Sequence, residues 1–186
     1  YSFEPFPETY NYLKKNIEIN NYKNIHPFNF GLLDKNINLK MGDPKPEILS
    51  NQAFGWLKKN SLFESGYKTI LYDKNDTSSK ECKFVKGDDF ILNNEFEKID
   101  LLKIDVEGSE LETLNGLRKS IENFMPIIQI ELNRNISNNI KEVIDLIKSF
   151  NYKKYSIFND RYLEKISLNK LFDDQVKGSK DYLFFN

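Results

Sequence analysis

The chain has 186 residues, enough to bury a hydrophobic core of its own, and is read as a single domain, 1–186. Lysine plus arginine number 27 against 28 aspartate plus glutamate, for a net charge of −1, so there is no electrostatic footprint for nucleic acid or an anionic membrane. The lone cysteine, Cys82, excludes an internal disulfide, the lone histidine, His26, excludes a Cys/His zinc site, and no apolar run approaches the ~20 residues that span a bilayer; a reducing, cytoplasmic setting without membrane insertion is expected.

The chain opens on what looks like the tail of a strand, Tyr1 to Phe3. Pro5 and Pro7 suit the first turn of a helix, Glu8 suits its positive end, and Tyr10, Leu13 and Ile17 repeat at helical spacing, which predicts a helix over Pro7 to Asn20. Glu4 then stands where doubly wound folds place a carboxylate that accepts ribose hydroxyls, although from position alone a surface turn residue is the plainer reading. Ile25, Phe28, Phe30 and Leu32 suggest the next strand, with Gly31 and Asp34 at its end and His26, taken as structural, at its start. A strand from Asn36 to Met41 is expected to return from the turn at Asp34-Lys35-Asn36.

Residues 42–80 carry Pro44, Pro46, Gly55 and Gly66 and read as an irregular insertion with a short helix near Gln52 to Asn60. Its aromatics Phe54, Trp56, Phe63, Tyr67 and Tyr72 make either a small local core or a stacking surface for a substrate. Lys83 to Val85 reads as a strand, and Asp88-Asp89 opens a short helix through Leu92.

The most informative stretch runs from Asp100 to Leu114. Leu101, Leu102 and Ile104 form a short apolar run that ends in Asp105. A helix is then expected from Ser109, with Leu111, Leu114, Leu117 and Ile121 on one face, stopped at Met125-Pro126. Ser109 with Glu112 has the spacing of a capping box. A second apolar run, Ile127 to Leu132, completes a β-α-β unit, so its strands lie parallel, and Asp105 and Glu131 fall at the carboxyl ends where such sheets bind ligands. Complementing a helix dipole is the plainer role for Asp105 and Glu107, and Glu131 is equally readable as an ordinary loop acid. After a polar turn holding Asn133 and Ser137, an amphipathic helix carries Ile140, Val143, Ile144, Ile147 and Phe150 to about Asn151. Strands at about Lys154 to Phe158 and Tyr182 to Phe185 are compatible with an antiparallel edge on a parallel sheet.

Phe3-Glu4-Pro5-x-Pro7, Asp88-Asp89, and Lys103-Ile104-Asp105-Val106-Glu107-Gly108-x-Glu110-Leu111, in that order, resemble the FkbM-like methyltransferases. The resemblance runs from Phe3 to the final strand. It implies a Rossmann-like, doubly wound, mostly parallel α/β sheet of the class I methyltransferase type, and S-adenosylmethionine as cofactor. By that resemblance Glu4 matches the acid that holds the cofactor ribose, and Asp105 the acid at the end of the fourth strand, beside methyl donor and acceptor. Glu107 and Glu110 belong to the same motif, and Glu131 matches the acid that ends the fifth strand. Asp34 joins Glu4 and Asp105 as a candidate cofactor residue.

The family's first strand, helix and glycine-rich turn would lie before Tyr1, and the eight glycines here are nowhere closer than eight positions apart, so no Gly-x-Gly loop stands elsewhere in the chain. Two expectations follow: a methyltransferase lacking part of its cofactor site, or a degenerate fold serving as a non-catalytic binding or scaffold module. A nicotinamide-dependent oxidoreductase would need a glycine fingerprint too. The enzyme reading expects O-methylation of a hydroxyl on a sugar, glycan or secondary metabolite, with Asp105 as base or positioning group and Glu107 and Glu131 beside it. Asp105, Glu131 and Asn133 also form an all-oxygen set suited to magnesium, as the resemblance to metal-assisted O-methyltransferases would allow.

Overall fold

The computed structural model describes residues 1–42, 69–70, 79–133, 139–159, 162–165 and 179–186. They belong to two compact units, 1–86 and 87–186, each described by itself. The insertion expected over 42–80, its helix and its aromatic cluster lie almost entirely outside the described residues.

In the first unit, β1 (Ser2–Phe3) leads through α1 (Pro7–Ile19) to β2 (Pro27–Phe28), which pairs with β1 in parallel. This is a second β-α-β unit. Pro7 occupies the first turn, where no amide is lost, and Glu8 lies at the positive end of the helix. The helix stops where Asn21 takes a left-handed φ of 56°. Phe3, Phe28 and Phe30 pack ring on ring at 5.4 to 5.8 Å, and His26 lies 5.2 Å from the Tyr1 ring, in keeping with a structural role.

The single strand expected over Ile25 to Leu32 is two. β3 (Gly31–Leu33) belongs to a different sheet from β2, because the Asn29 side chain turns back to donate to the carbonyls of Glu4 and Pro5. β4 (Ile37–Gly42) does not return alongside β3 either. β6 (Lys80–Lys86) lies between them, parallel to β3 and antiparallel to β4, and β5 (Thr69–Ile70) flanks β4. Phe6, Leu33, Met41, Cys82 and Phe84 form the core of this unit.

The second unit opens with α2 (Gly87–Asn93), which leads to β7 (Leu101–Ile104). The helix expected from Ser109 to Phe124 is broken in two, α3 (Glu110–Gly116) and α4 (Arg118–Phe124), at Leu117. The apolar spacing runs unbroken through the break, and Leu114, Leu117 and Ile121 are all buried. What starts the second helix is Asp88 on α2, whose carboxylate accepts the amides of Lys119 and Ser120 at 3.1 and 2.9 Å and the Ser120 hydroxyl at 2.7 Å. The chain leaves α4 through Met125, at a left-handed φ of 47°, and Pro126.

β8 (Ile127–Asn133) pairs with β7 in parallel, so the central β-α-β unit is present as expected. After α5 (Ile140–Ser149) come β9 (Lys154–Asn159), β10 (Tyr162–Lys165) and β11 (Ser179–Phe185), in the sheet order β10-β9-β11-β8-β7. β10 had no counterpart in the sequence reading, and β11 inserts between β8 and β9, antiparallel to both. Where a mostly parallel sheet with one antiparallel edge was expected, the described strand pairings run in both directions. One face of this sheet is dry: Ile104, Ile128, Ile130, Leu132, Tyr182 and Phe184 are at most 2% exposed. The other carries Lys103, Asp105, Gln129, Glu131 and Asp181, with Leu101 and Ile127 exposed at its far end.

Candidate functional site

Alternation along β7 puts Lys103 and Asp105 on the open face while Leu102 and Ile104 face the core. β7 ends at Ile104, so Asp105 is the first residue beyond the ladder, at the carboxyl end of a parallel strand. The chain then turns through two left-handed residues, Glu107 at φ 50° and Gly108 at φ 102°. Gly108 bears that conformation without strain; Glu107 bears it at a cost of about 1–2 kcal/mol, the kind of local strain that collects at functional sites.

The capping box expected of Ser109 and Glu112 does not form. Ser109 precedes α3 without a side-chain cap bond, and its backbone, at φ −110° and ψ 23°, is not in the extended conformation a capping serine adopts. Glu110, buried, instead accepts the Gly108 amide on Oε1 at 2.9 Å. Glu112 keeps a buried Oε2 with no hydrogen-bond partner among the described residues.

The turn gathers carboxylates. One oxygen from each of Asp105, Glu107 and Glu131 lies within 4.8 Å of the others. Glu131 sits near the end of β8 and faces Asp181 of β11 across the antiparallel ladder, and Gln129 donates to Asp181 Oδ1 at 3.1 Å. Asn133 ends β8, but its side chain lies outside the described residues. Within this acidic group stands a cation: Lys103 Nζ is 3.0 Å from Asp105 Oδ2. Partial burial alone would lower the Lys103 pKa, but the hydrogen bond to Asp105 and the charges of Asp105, Asp181 and Glu131 leave it raised, so the ammonium keeps its proton.

The oxygen donors are of the hard type magnesium takes. The fit is spoiled by Lys103, whose ammonium already holds Asp105, a ligand the metal would need. Asp105, Glu107 and Glu131 are the candidates the sequence offers; the structure sets Lys103, which the sequence gives only as part of the motif, and Asp181 beside them. The two-residue spacing of Lys103 and Asp105 within a strand was the available signal for the first. Nothing local signals Asp181, which depends on the register of β11.

In the first unit, Glu4 follows β1 and precedes α1. Its amide donates to the Phe28 carbonyl, and its Oε1 accepts the Phe6 amide at the mouth of the helix at 2.7 Å. Burial raises the Glu4 carboxyl above its ordinary value, and the Phe6 hydrogen bond offsets only part of that. Asp34 is exposed in the turn directly after β3. Cys82 is buried in the core, its thiol pushed up to about 11 by burial and by the charges of Glu4 and Glu8, and is inert as a nucleophile. No helix among the described residues is long and apolar enough to cross a membrane.

The model of the Methyltransferase FkbM domain matches residues 1–154 of the chain. The chain belongs to that family. Its structure is also similar to the crystal structure of Methyltransferase FkbM from Methylobacillus flagellatus KT, with a TM-score of 0.54 and 14% sequence identity. The likeness covers 98% of this chain and 35% of that one, so the FkbM chain described here spans about a third of that protein. At this identity the likeness speaks for the fold, a mixed α/β arrangement of sheets and helices. No curated protein matches the sequence.

Proposed function

We propose that the chain serves S-adenosylmethionine-dependent methyl transfer to a hydroxyl of a sugar, glycan or secondary metabolite. The observation that carries this reading is the FkbM domain match over residues 1–154, within which Asp105 and Glu107 of the motif after β7 converge with Glu131 of β8. S-adenosylmethionine, when bound, supplies a methyl carbon made electrophilic by its sulfonium, the electron pair of the broken C–S bond leaving on sulfur.

Asp105 takes the proton that the acceptor oxygen releases as the new O–C bond forms. Glu107 and Glu131 accept hydrogen bonds from the acceptor and fix its approach, which is most of what an in-line displacement asks of a protein. Glu4 fits a ribose diol: it is a half-buried carboxylate with one oxygen engaged by the Phe6 amide and no other donor on it among the described residues. Asp34 offers a second carboxylate to the cofactor's donors.

The test is transfer of a labelled methyl group from S-adenosylmethionine to a panel of hydroxylated acceptors, by the parent chain and by Asp105→Asn. Loss of a general base predicts a fall on the order of 10²- to 10⁴-fold in rate with the fold intact. Turnover by Asp105→Asn close to that of the parent removes Asp105 from the chemistry.

A further inference from the structure

We propose that Lys103 is the resident counter-ion of the Asp105, Glu107, Glu131 and Asp181 cluster and a positioning residue for Asp105, so that the site works without a divalent cation. Carboxylate oxygens of Asp105, Glu107 and Glu131 lie within 4.8 Å of one another, and Asp181 pairs with Glu131 in the ladder. Such a group is stabilised by a compensating charge, and a metal ion or a protein cation can each supply it.

The protein supplies one from the same strand. Lys103 is two residues before Asp105, so the pleat sends both side chains to the open face, and its ammonium donates to Asp105 Oδ2 at 3.0 Å. Gln129, its register partner on β8, is engaged with Asp181. Lys103 therefore engages Asp105, and Gln129 beside it engages Asp181. A lysine ammonium has donors only, so it cannot ligate a metal, and while it holds Oδ2 it repels a dication from the ligand set. Its hydrogen bond also aims the Asp105 carboxylate, which sits past the end of the ladder where the strand no longer holds it.

The proposal rests on the methyl-transfer reading in taking this cluster as the reactive site. Its test is separate, because the first readout needs neither donor nor acceptor. Magnesium chloride, and in parallel manganese chloride, is titrated calorimetrically into the parent chain, Lys103→Gln, Lys103→Arg and the Lys103→Gln, Asp105→Asn double variant, each checked for folding by circular dichroism. Removing one positive charge at this distance predicts that Lys103→Gln binds either cation roughly tenfold or more tightly than the parent. Lys103→Arg, which keeps the charge, stays with the parent, and the double variant loses the gain.

Lys103→Thr, which suits an exposed strand position, replaces Lys103→Gln should the latter misfold. Equal cation affinity in the parent and the neutral variants overturns the proposal, as does a parent that binds more tightly than they do. Where methyl transfer is measurable, the parent's rate is expected to withstand chelator, while Lys103→Gln loses kcat and Lys103→Arg recovers it. A parent inactivated by chelator and restored by magnesium also overturns it. Absence of methyl transfer in every protein counts against the transferase reading alone.

Discussion

Asp88 Oδ1 accepts both the amide and the hydroxyl of Ser120, at 2.9 and 2.7 Å, and so starts a helix that lies 30 residues further along the chain. The Lys119 amide takes the other oxygen. A charged cap with three donors is worth more than a neutral one. Asp88→Ala is expected to destabilise the chain by about 2 kcal/mol, and Asp88→Asn, which keeps one acceptor, by about half that. Chemical denaturation followed by circular dichroism measures both; a loss under about 0.5 kcal/mol for the alanine variant would mean that α4 forms without this cap.

Immediately before Asp88, Gly87 lies against the residue at which the helix breaks. A Cβ built on Gly87 would fall 2.6 Å from Leu117 Cγ and Cδ2 and 3.1 Å from the Gly116 carbonyl oxygen. Gly87→Ala should therefore cost about 1–3 kcal/mol through overpacking. Leu117→Ala alone should cost about 2–5 kcal/mol, as for other buried leucines. In the double variant the two losses should be less than additive, because the shortened side chain vacates the space the new methyl needs. Additive losses would show that the close approach is not what makes Gly87 costly to replace.

These two contacts show where the sequence was legible and where it was not. The β-α-β unit around Asp105 could be read because strand alternation and helical spacing are local patterns. The break at Leu117 could not, since Leu111, Leu114, Leu117 and Ile121 keep one apolar stripe through it and the cap that causes it comes from Asp88. In the same way Phe28 and Leu32 look like one strand until Asn29 bonds back to Glu4 and Pro5. Asp105 and Glu131 were visible as acids ending apolar runs. Asp181 joined them only through the long-range register that sets it opposite Glu131.

Glu4 combines two demands that separate in a variant. Burial raises its carboxyl above the ordinary value of 4.5, so the stability contributed by the protonated form is complete below pH 4.5 and is lost as pH rises through the raised value in the folded chain. Glu4→Gln keeps an oxygen for the Phe6 amide and never ionises. It should be no less stable than the parent at neutral pH and should flatten this part of the acid-limb stability profile, while weakening S-adenosylhomocysteine binding. A marked loss of neutral-pH stability would show that the charge itself supports the first turn of α1.

Tyr152 reports on the dry side of the second unit. Its hydroxyl donates to the Pro126 carbonyl at 2.5 Å, where the chain leaves α4 for β8, and burial pushes its pKa up to about 12. The stability that neutral Tyr152 contributes is complete below pH 10 and lost as pH climbs to about 12. Tyr152→Phe should cost about 1–3 kcal/mol at neutral pH by leaving the buried carbonyl without its donor. It should also lack the alkaline loss shown by the parent between those limits; an unchanged alkaline profile would assign that loss to other groups.

Methyl transfer by this FkbM chain is the proposed function, and calorimetric titration of S-adenosylhomocysteine into the folded chain is its first test. Saturable binding at one site, weakened by Glu4→Gln and untouched by Lys103→Arg, is the expected result. A folded parent chain that takes up no S-adenosylhomocysteine would contradict it, while equal binding by Glu4→Gln would remove only Glu4 from the cofactor site.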